Sequence, residues 1–184
     1  MGVQLFQEMV APDWHLDRDG SKWIIREENK GSNNKEVQIH GCSCFAFSLD
    51  QKGKDPFPML SGKPPGMKRV CDAMIVAVWN GKTYFCAMDL KSSNSSGATK
   101  QLEAARRTFE WLAGMAKFTG AEFNSYVFFG VINLAPRDMV RKSTSRKSAE
   151  IPPPENSTYG GYKYFQLRNH PKVDLLSLIK IIDP

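Results

Sequence analysis

The sequence predicts a mixed α/β domain, and three segments support this prediction. Two apolar runs, at 71–79 and 83–90, flank Asn80-Gly81. This dipeptide favours a two-residue hairpin turn, because both central positions of the turn need a positive φ. Apolar residues then recur every three or four positions from 98 to 116, as in an amphipathic helix. The continuous apolar run at 126–132 is typical of a strand buried on both faces.

The elements before the hairpin follow less regular patterns. Residues 5–10 predict a short helix, whereas residues 23–28 fit either a helix or a strand. The alternation of apolar residues over 42–49 predicts a strand, which Asp50 closes. Residues 51–66 are rich in proline, glycine and lysine, so we expect a loop there.

The elements after the hairpin have clearer boundaries. Ser95 or Ser96 is the predicted N-cap of the helix, and Gly120 supplies its end. A strand over 162–167 and a short helix over 173–182 are predicted to follow. Between 136 and 160 the chain is rich in serine, proline and basic residues, and we expect a long loop, which in a compact domain is commonly functional or mobile.

Length and composition are those of one globular domain, with 184 residues, of which 41% are hydrophobic and 24% charged. We expect a single domain over 1–184, with an N-terminal extension at about 1–40 and the basic loop at 136–160. The net charge of +6 favours an anionic partner such as nucleic acid. No apolar run reaches the length of a membrane span, and the first residues lack the pattern of a secretory signal. We therefore expect a cytoplasmic protein that does not act at a membrane.

The predicted hairpin brings acidic residues together. A two-residue loop at Asn80-Gly81 fixes the register, and counting outwards places Asp72 directly opposite Asp89. Directly opposed side chains have Cβ atoms about 4.5–5.5 Å apart on the same face of the sheet. Lys91, two residues beyond Asp89, projects from that face as well. Two carboxylates and one ammonium group are therefore predicted to converge.

Two interpretations of this cluster stay open. Opposed carboxylates repel each other, and partial desolvation strengthens the repulsion. A bound Mg²⁺ or Mn²⁺ ion offsets it, because carboxylate oxygens are hard ligands, and such an ion can activate a water molecule for attack on a phosphodiester. In the other interpretation, Asp72 caps the open end of the hairpin, and Asp89 and Lys91 form an exposed acid–base pair. The apolar strand before Asp89 and the amphipathic helix after Lys91 favour the metal site.

Asp72, the hairpin, Asp89-Leu90-Lys91 and the helix that follows resemble the motif of the PD-(D/E)xK nuclease superfamily, which has the restriction-endonuclease-like fold. The resemblance covers residues from about 40 to 134. It implies an α/β fold with a mixed sheet and flanking helices in an αβββαβ core. The chain departs from the pattern at Cys71, where the motif has proline. Many members also carry a glutamate on the first helix, for which this chain offers four candidates: Glu8, Glu27, Glu28 and Glu36.

The resemblance implies a role for each residue of the motif. Asp72 and Asp89 would bind Mg²⁺ (or Mn²⁺), with the carbonyl oxygen of Leu90 as a further ligand, and Lys91 would assist the attacking water molecule. Lys100 and Gln101 resemble polar residues that several branches of the superfamily place on the next helix, near the substrate. Their alternative interpretation is an ordinary pair on a helix surface.

These roles predict a metal-dependent endonuclease that hydrolyses the phosphodiester bonds of nucleic acid, DNA rather than RNA. One such centre cuts one strand, so cleavage of a duplex needs a homodimer or sequential nicking, and a partner protein could supply specificity. One alternative is a non-catalytic nucleic-acid-binding or assembly subunit with the same fold. Another is a basic scaffold that binds a protein partner.

The loop at 136–160 contains the remaining candidate residues. Its basic side chains are Arg137, Arg141, Lys142, Arg146 and Lys147. We expect either an arm that binds phosphate groups, with an affinity that falls as salt rises, or an ordinary solvated loop.

Overall fold

The computed structural model describes residues 2–27, 36–92, 95–121, 125–135 and 150–184. The helices in these ranges are α1 (Val3–Met9), α2 (Ala98–Phe118) and α3 (Leu175–Ile182), with a short 3-10 turn at Pro12–Trp14. The strands are β1 (Asp17–Asp19), β2 (Lys22–Arg26), β3 (Glu36–His40), β4 (Ser43–Phe47), β5 (Ala73–Trp79), β6 (Lys82–Lys91), β7 (Tyr126–Leu134), β8 (Glu155–Asn156), β9 (Lys163–Arg168) and β10 (Lys172–Asp174).

The strands form two mixed sheets. The large sheet has the order β4-β5-β6-β7-β9-β8, and the small sheet has the order β1-β2-β3-β10. In the large sheet β4, β5 and β6 pair antiparallel, whereas β6, β7 and β9 pair parallel. Helix α2 provides the crossover from β6 to β7 that a parallel pair requires. The predicted mixed α/β fold is confirmed.

The predicted hairpin is present between β5 and β6. Asn80 and Gly81 have φ angles of 47° and 74°, the positive values that favour these two residue types in a tight turn. Trp79 pairs with Lys82 and Ala73 with Met88, which is the register expected from a two-residue loop. The side chains along both strands are buried on both faces of the sheet over most of their length. A shift of one residue in the pairing of the strands would move every side chain of the shifted strand to the opposite face.

Helix α2 buries the predicted stripe of apolar residues, but its start differs from the prediction. The prediction of a serine N-cap is wrong: Gly97 occupies that position with a left-handed φ of 78°, and no side chain caps the helix. The chain turns at this glycine, so the helix begins after both serines. Gly120, with a φ of 86°, follows the last turn as predicted. None of the helices in the described ranges is both long and apolar enough to cross a membrane.

The first forty residues contribute to the common core. Residues 23–28 fitted either a helix or a strand, and the structure places Trp23 and Ile25 in strand β2, buried beside Ile39 of β3. The predicted C-terminal helix begins later than expected, because residues 172–174 form β10 parallel to β3. Asp174 then caps α3 through its side chain. The described part of the predicted basic loop, residues 150–160, includes the edge strand β8.

Aromatic packing fixes α1 and α2 on one face of the large sheet. The ring of Phe85 on β6 lies 4.5 Å from that of Phe109 on α2, and 5.3 Å from that of Phe6 on α1 (centroid distances). Side chains alternate along a strand, so Asp89 lies on the same face as Phe85. The N-terminal half of α2 is therefore held next to the open end of the hairpin.

Close packing between α2 and β7 depends on Gly130. A Cβ atom at this position would lie 2.5 Å from Leu102 Cδ1 and 3.1 Å from Tyr164 Cβ. We expect Gly130→Ala to lower the free energy of unfolding by about 1–3 kcal/mol, because the added methyl group overpacks the interface. Denaturant unfolding with circular dichroism detection measures this change.

Gly114→Ala is the matched control, since within the described ranges no atom lies within 4 Å of a Cβ atom added at this helical glycine. It should raise the free energy of unfolding by about 0.5–1 kcal/mol through helix propensity. Equal effects of the two substitutions would contradict the packing argument.

Candidate metal centre

The structure brings together the residues predicted at the open end of the hairpin. Asp89 lies in β6, and Asp72 precedes β5 by one residue, so the hairpin register continues to place it opposite Asp89. The Oδ2 atom of Asp72 accepts a hydrogen bond from the backbone N–H of Leu90. This contact extends the pairing of the two strands through a side chain and holds the Asp72 carboxylate beside β6.

Asp89 is a fully buried carboxylate with unusual surroundings. Its side chain is 0% exposed, and Lys91 Nζ lies 2.8 Å from its Oδ2 atom. Neither carboxylate oxygen accepts a well-aligned hydrogen bond from the described residues. The carboxyl groups of Asp72 and Asp89 are close enough to share a hydrogen bond, which requires that one of them carries a proton. Lys91 therefore neutralises part of the negative charge of the two carboxyl groups.

Gln101 on α2 holds the ammonium group of Lys91 in place. Its Oε1 atom accepts a hydrogen bond of 2.7 Å from Lys91 Nζ, and its Nε2 atom donates one of 3.2 Å to the carbonyl oxygen of Val70. Both ends of the amide are thus used, which fixes the orientation of the amide and the position of the lysine. Lys100, the other predicted residue of this helix, is exposed to solvent.

The electrostatics of the pair favour a bound cation. Burial, followed by the negative charge of Asp89, raises the pKa of Asp72 to about 8, while the Leu90 N–H group and the Lys91 charge oppose this rise. Burial also raises the pKa of Asp89, and Lys91 opposes that rise. At neutral pH the pair retains a proton that a divalent cation could replace.

Two grooves meet at this centre. Asp72 lines a cleft of about 910 Å³ together with Glu27 and Asp50. Loss of solvent around its carboxyl group and the charge of Glu27 raise the pKa of Asp50, and the charge of Lys91 opposes the rise. Asp50 also lines a second groove, of about 370 Å³, into which Gln101 projects. Asp72 and Gln101 thus each line one groove, whereas Asp89 is fully buried.

Basic side chains accompany the acidic ones in both grooves. Arg26 and Lys52 line the larger cleft, and Lys68 and Arg69 line the smaller groove. Lys68 forms an ion pair with Asp55. Arg26 is paired with Asp17 and Glu36, and acidic side chains outnumber basic ones in the larger cleft.

The donor set fits a hard divalent cation that keeps several water ligands. In the described ranges, no three acidic, histidine or cysteine side chains come close enough together to hold an ion. The centre therefore offers the carboxylates of Asp72 and Asp89, with the carbonyl group of Leu90, the residue after Asp89. Mg²⁺ is commonly held by one or two carboxylates with water completing its octahedron.

The four candidates for a first-helix glutamate differ in their position relative to the centre. Glu8, the one on α1, is exposed and accepts a hydrogen bond from Gln4. Glu36 lies at the exposed start of β3, and Glu28 lies outside the described residues. Glu27 follows β2 and is the candidate that lines the cleft with Asp72. The glutamate that shares the cleft with Asp72 therefore lies after a strand rather than on a helix.

Sequence reasoning missed Asp50, Lys68 and Arg69 as residues of the site. Asp50 was interpreted only as the end of a strand, and its place beside Asp72 follows from the antiparallel pairing of β4 with β5. A long loop joins these strands, so no turn motif could have revealed their pairing. The predicted basic residues Arg137, Arg141, Lys142, Arg146 and Lys147 lie outside the described residues.

The raised pKa values predict how stability depends on pH in the absence of metal. Between the ordinary aspartate pKa and about 8, the folded protein binds more protons at Asp72 than the unfolded chain does, so stability should fall as pH rises through this window. We expect Asp72→Asn to flatten this slope and to raise the free energy of unfolding at pH 8 by on the order of 1–4 kcal/mol. Urea unfolding at pH 5 to 8.5 measures both effects. A slope that is the same in both proteins would contradict the proton-sharing pair.

No protein-family model, curated protein or solved structure matches this chain. The arguments for its function therefore come from its own residues. They are the opposed carboxylates of Asp72 and Asp89, the lysine that Gln101 holds beside them, and the two grooves that Asp50 lines nearby.

Proposed function

We propose that the protein is a Mg²⁺- or Mn²⁺-dependent nuclease that hydrolyses phosphodiester bonds in nucleic acid, with DNA as the preferred substrate. The observation that carries this proposal is the buried Asp89 carboxylate, which lies opposite Asp72 and beside Lys91 with no well-aligned hydrogen bond from the described residues. Such a pair is electrostatically unfavourable on its own, and a cation bound between the carboxylates would stabilise it.

We also propose that the large sheet is a restriction-endonuclease-like core. The order α1, β4, β5, β6, α2, β7 supports this assignment, since it is the helix–strand–strand–strand–helix–strand order of that core. The small sheet is inserted between α1 and β4, apart from β10, which the C-terminal segment adds. The hairpin β5–β6 then carries the motif at the position that the superfamily uses.

Each residue of the centre has a distinct task in this mechanism. Asp72, Asp89 and the carbonyl group of Leu90 would hold the cation, which when bound lowers the pKa of a water ligand and stabilises negative charge on the phosphoryl oxygens. Lys91 would orient the attacking water molecule or stabilise charge in the transition state. Gln101 acts through Lys91 and is a positioning residue, because its amide fixes the ammonium group.

The basic side chains of the two grooves would bind the phosphate backbone on either side of the scissile bond. Lys68 and Arg69 lie in the smaller groove next to Gln101, and Arg26 and Lys52 lie in the larger cleft next to Asp72. The sequence carries further basic residues at 137–147, outside the described residues. Binding through such contacts weakens as salt rises.

The second candidate function is a non-catalytic nucleic-acid-binding or assembly subunit. The complete burial of Asp89 and its ion pair with Lys91 favour this alternative, because a cation must share Asp89 with the lysine. The two functions differ in one observable property, since the alternative predicts salt-dependent binding without metal-dependent cleavage.

We expect Asp89→Ala to abolish cleavage while leaving nucleic-acid binding intact. Loss of a metal-binding carboxylate should lower the cleavage rate by roughly 10³-fold or more. Incubation of plasmid and single-stranded DNA or RNA with Mg²⁺ or Mn²⁺ measures cleavage, and fluorescence anisotropy of a labelled oligonucleotide measures binding.

Asp19→Asn is the matched control, because this exposed aspartate on β1 lines neither groove. Its cleavage rate should equal that of the unchanged protein. Retained cleavage in the folded Asp89→Ala protein would reject the proposed centre, and binding without cleavage in the unchanged protein would favour the non-catalytic subunit.

Gln101→Ala tests the positioning of Lys91. We expect a loss of about 10–100-fold in kcat with little change in KM, together with a shifted pH profile, because the ammonium group loses its hydrogen-bond partner. Gln101→Glu keeps an acceptor for Lys91 and should restore part of the rate. Lys100→Ala, at the exposed neighbouring position, should leave kcat unchanged. Equal effects of Gln101→Ala and Lys100→Ala on kcat would contradict the positioning role.

A further inference from the structure

The outward face of α2 changes character along the helix. In its first half, Glu103, Arg106 and Arg107 form a network of ion pairs with Glu110. The last two turns instead present large apolar side chains to solvent. These are Trp111, Met115 and Phe118, with exposed fractions of 60%, 40% and 85%.

The spacing of these side chains places them on one stripe. Residues three, four and seven positions apart lie on the same side of an α-helix. The stripe is separate from the buried one, which contains Leu112 and Ala116. The helix therefore has a second apolar surface that does not serve the core of the chain.

Gly114 lies on this exposed surface, and no contact among the described residues requires a glycine there. Glycine inside a helix is less favourable than alanine. At Gly130 close packing explains the glycine, but no atom of the residues that the structure describes lies within 4 Å of a Cβ atom added at Gly114. A glycine at such a position is useful when another backbone approaches from outside. We call Trp111, Gly114, Met115 and Phe118 the α2 patch.

We propose that the α2 patch is a homodimer interface, in which α2 of a second copy crosses antiparallel at Gly114. The patch is self-complementary, because the gap left by the missing side chain of Gly114 (the notch) lies between the large side chains of Trp111 and Phe118. A two-fold axis through the notch places Trp111 of each copy against Phe118 of the other. Isologous interfaces require this kind of complementarity.

The size of the patch matches a weak dimer. Large apolar side chains bury about 150–250 Å² each, so the exposed fractions correspond to about 400 Å² of apolar surface per copy. Two copies would bury about 800 Å² in this way, and a polar rim would add to it. This area lies at the low end for specific interfaces, which corresponds to association in the micromolar range or weaker.

The charge of the chain predicts how salt acts on this dimer. Each copy carries a net charge of +6, so two copies repel each other over distances comparable to the Debye length. Added salt screens this repulsion and leaves the apolar contact intact. Salt should therefore strengthen the dimer, whereas it weakens binding to nucleic acid.

Sedimentation equilibrium from about 1 to about 300 µM brackets the expected dissociation constant. We expect a monomer–dimer equilibrium that shifts towards dimer between about 0.1 and 0.5 M NaCl. Trp111→Gln and Phe118→Gln should each raise the dissociation constant by about tenfold or more, since each removes an apolar contact. Met59→Gln is the matched control, because Met59 is also 85% exposed and lies in a loop. It should leave the equilibrium unchanged.

Gly114→Leu separates loss of the interface from loss of the fold. Leucine favours the helix more than glycine does, so the melting temperature should rise, yet its side chain fills the notch and should abolish the dimer. A chain that is monomeric at every concentration would overturn the proposal. It would also be overturned by a dimer that weakens with salt, or by one that survives both Phe118→Gln and Gly114→Leu.

Discussion

The pairing of β5 with β6 is the constraint on which the site depends. It holds two carboxylates of like charge opposite each other in surroundings that exclude water from Asp89. The tight turn at Asn80-Gly81 sets the register, and the burial of both faces prevents a slip. Lys91, Gln101 and the Leu90 N–H group then compensate part of the repulsion. The proposed metal site and its cost in stability therefore have the same origin in one hairpin.

The parts of the fold that local physics determines could be predicted from the sequence. The turn residues and the alternation of side chains predicted Asp72 opposite Asp89, and the helical spacing predicted the buried face of α2. Gln101 was found through its resemblance to a family position. Asp50 and Lys68 lie in the long loop that joins β4 to β5, and the pairing of these two strands brings them near the site. No local sequence pattern predicts such a pairing. The start of α2 was missed because glycine can end a loop without a capping side chain.

Helix α2 connects two different surfaces of the molecule. Gln101, in its first turn, holds the lysine of the candidate centre, and Gly114, 13 residues further along, marks the proposed crossing point. At 1.5 Å per residue these points are about 20 Å apart along the axis. In an antiparallel pair the two centres would therefore lie about 40 Å apart at opposite ends. Such a spacing suits independent action on separate sites better than a joint cut across one minor groove.

The parallel pairing of β3 with β10 has a consequence for the order in which the chain folds. These strands join the N-terminal segment to the C-terminal one, so their contact has a very long sequence separation. Contacts of this kind close a large loop and form late, whereas a tight hairpin such as β5–β6 closes early. During synthesis β1, β2 and β3 must wait for residues 172–174 to leave the ribosome before the small sheet is complete. Until then Val37 and Ile39, which are buried in the folded protein, lack part of the contacts that shield them from solvent.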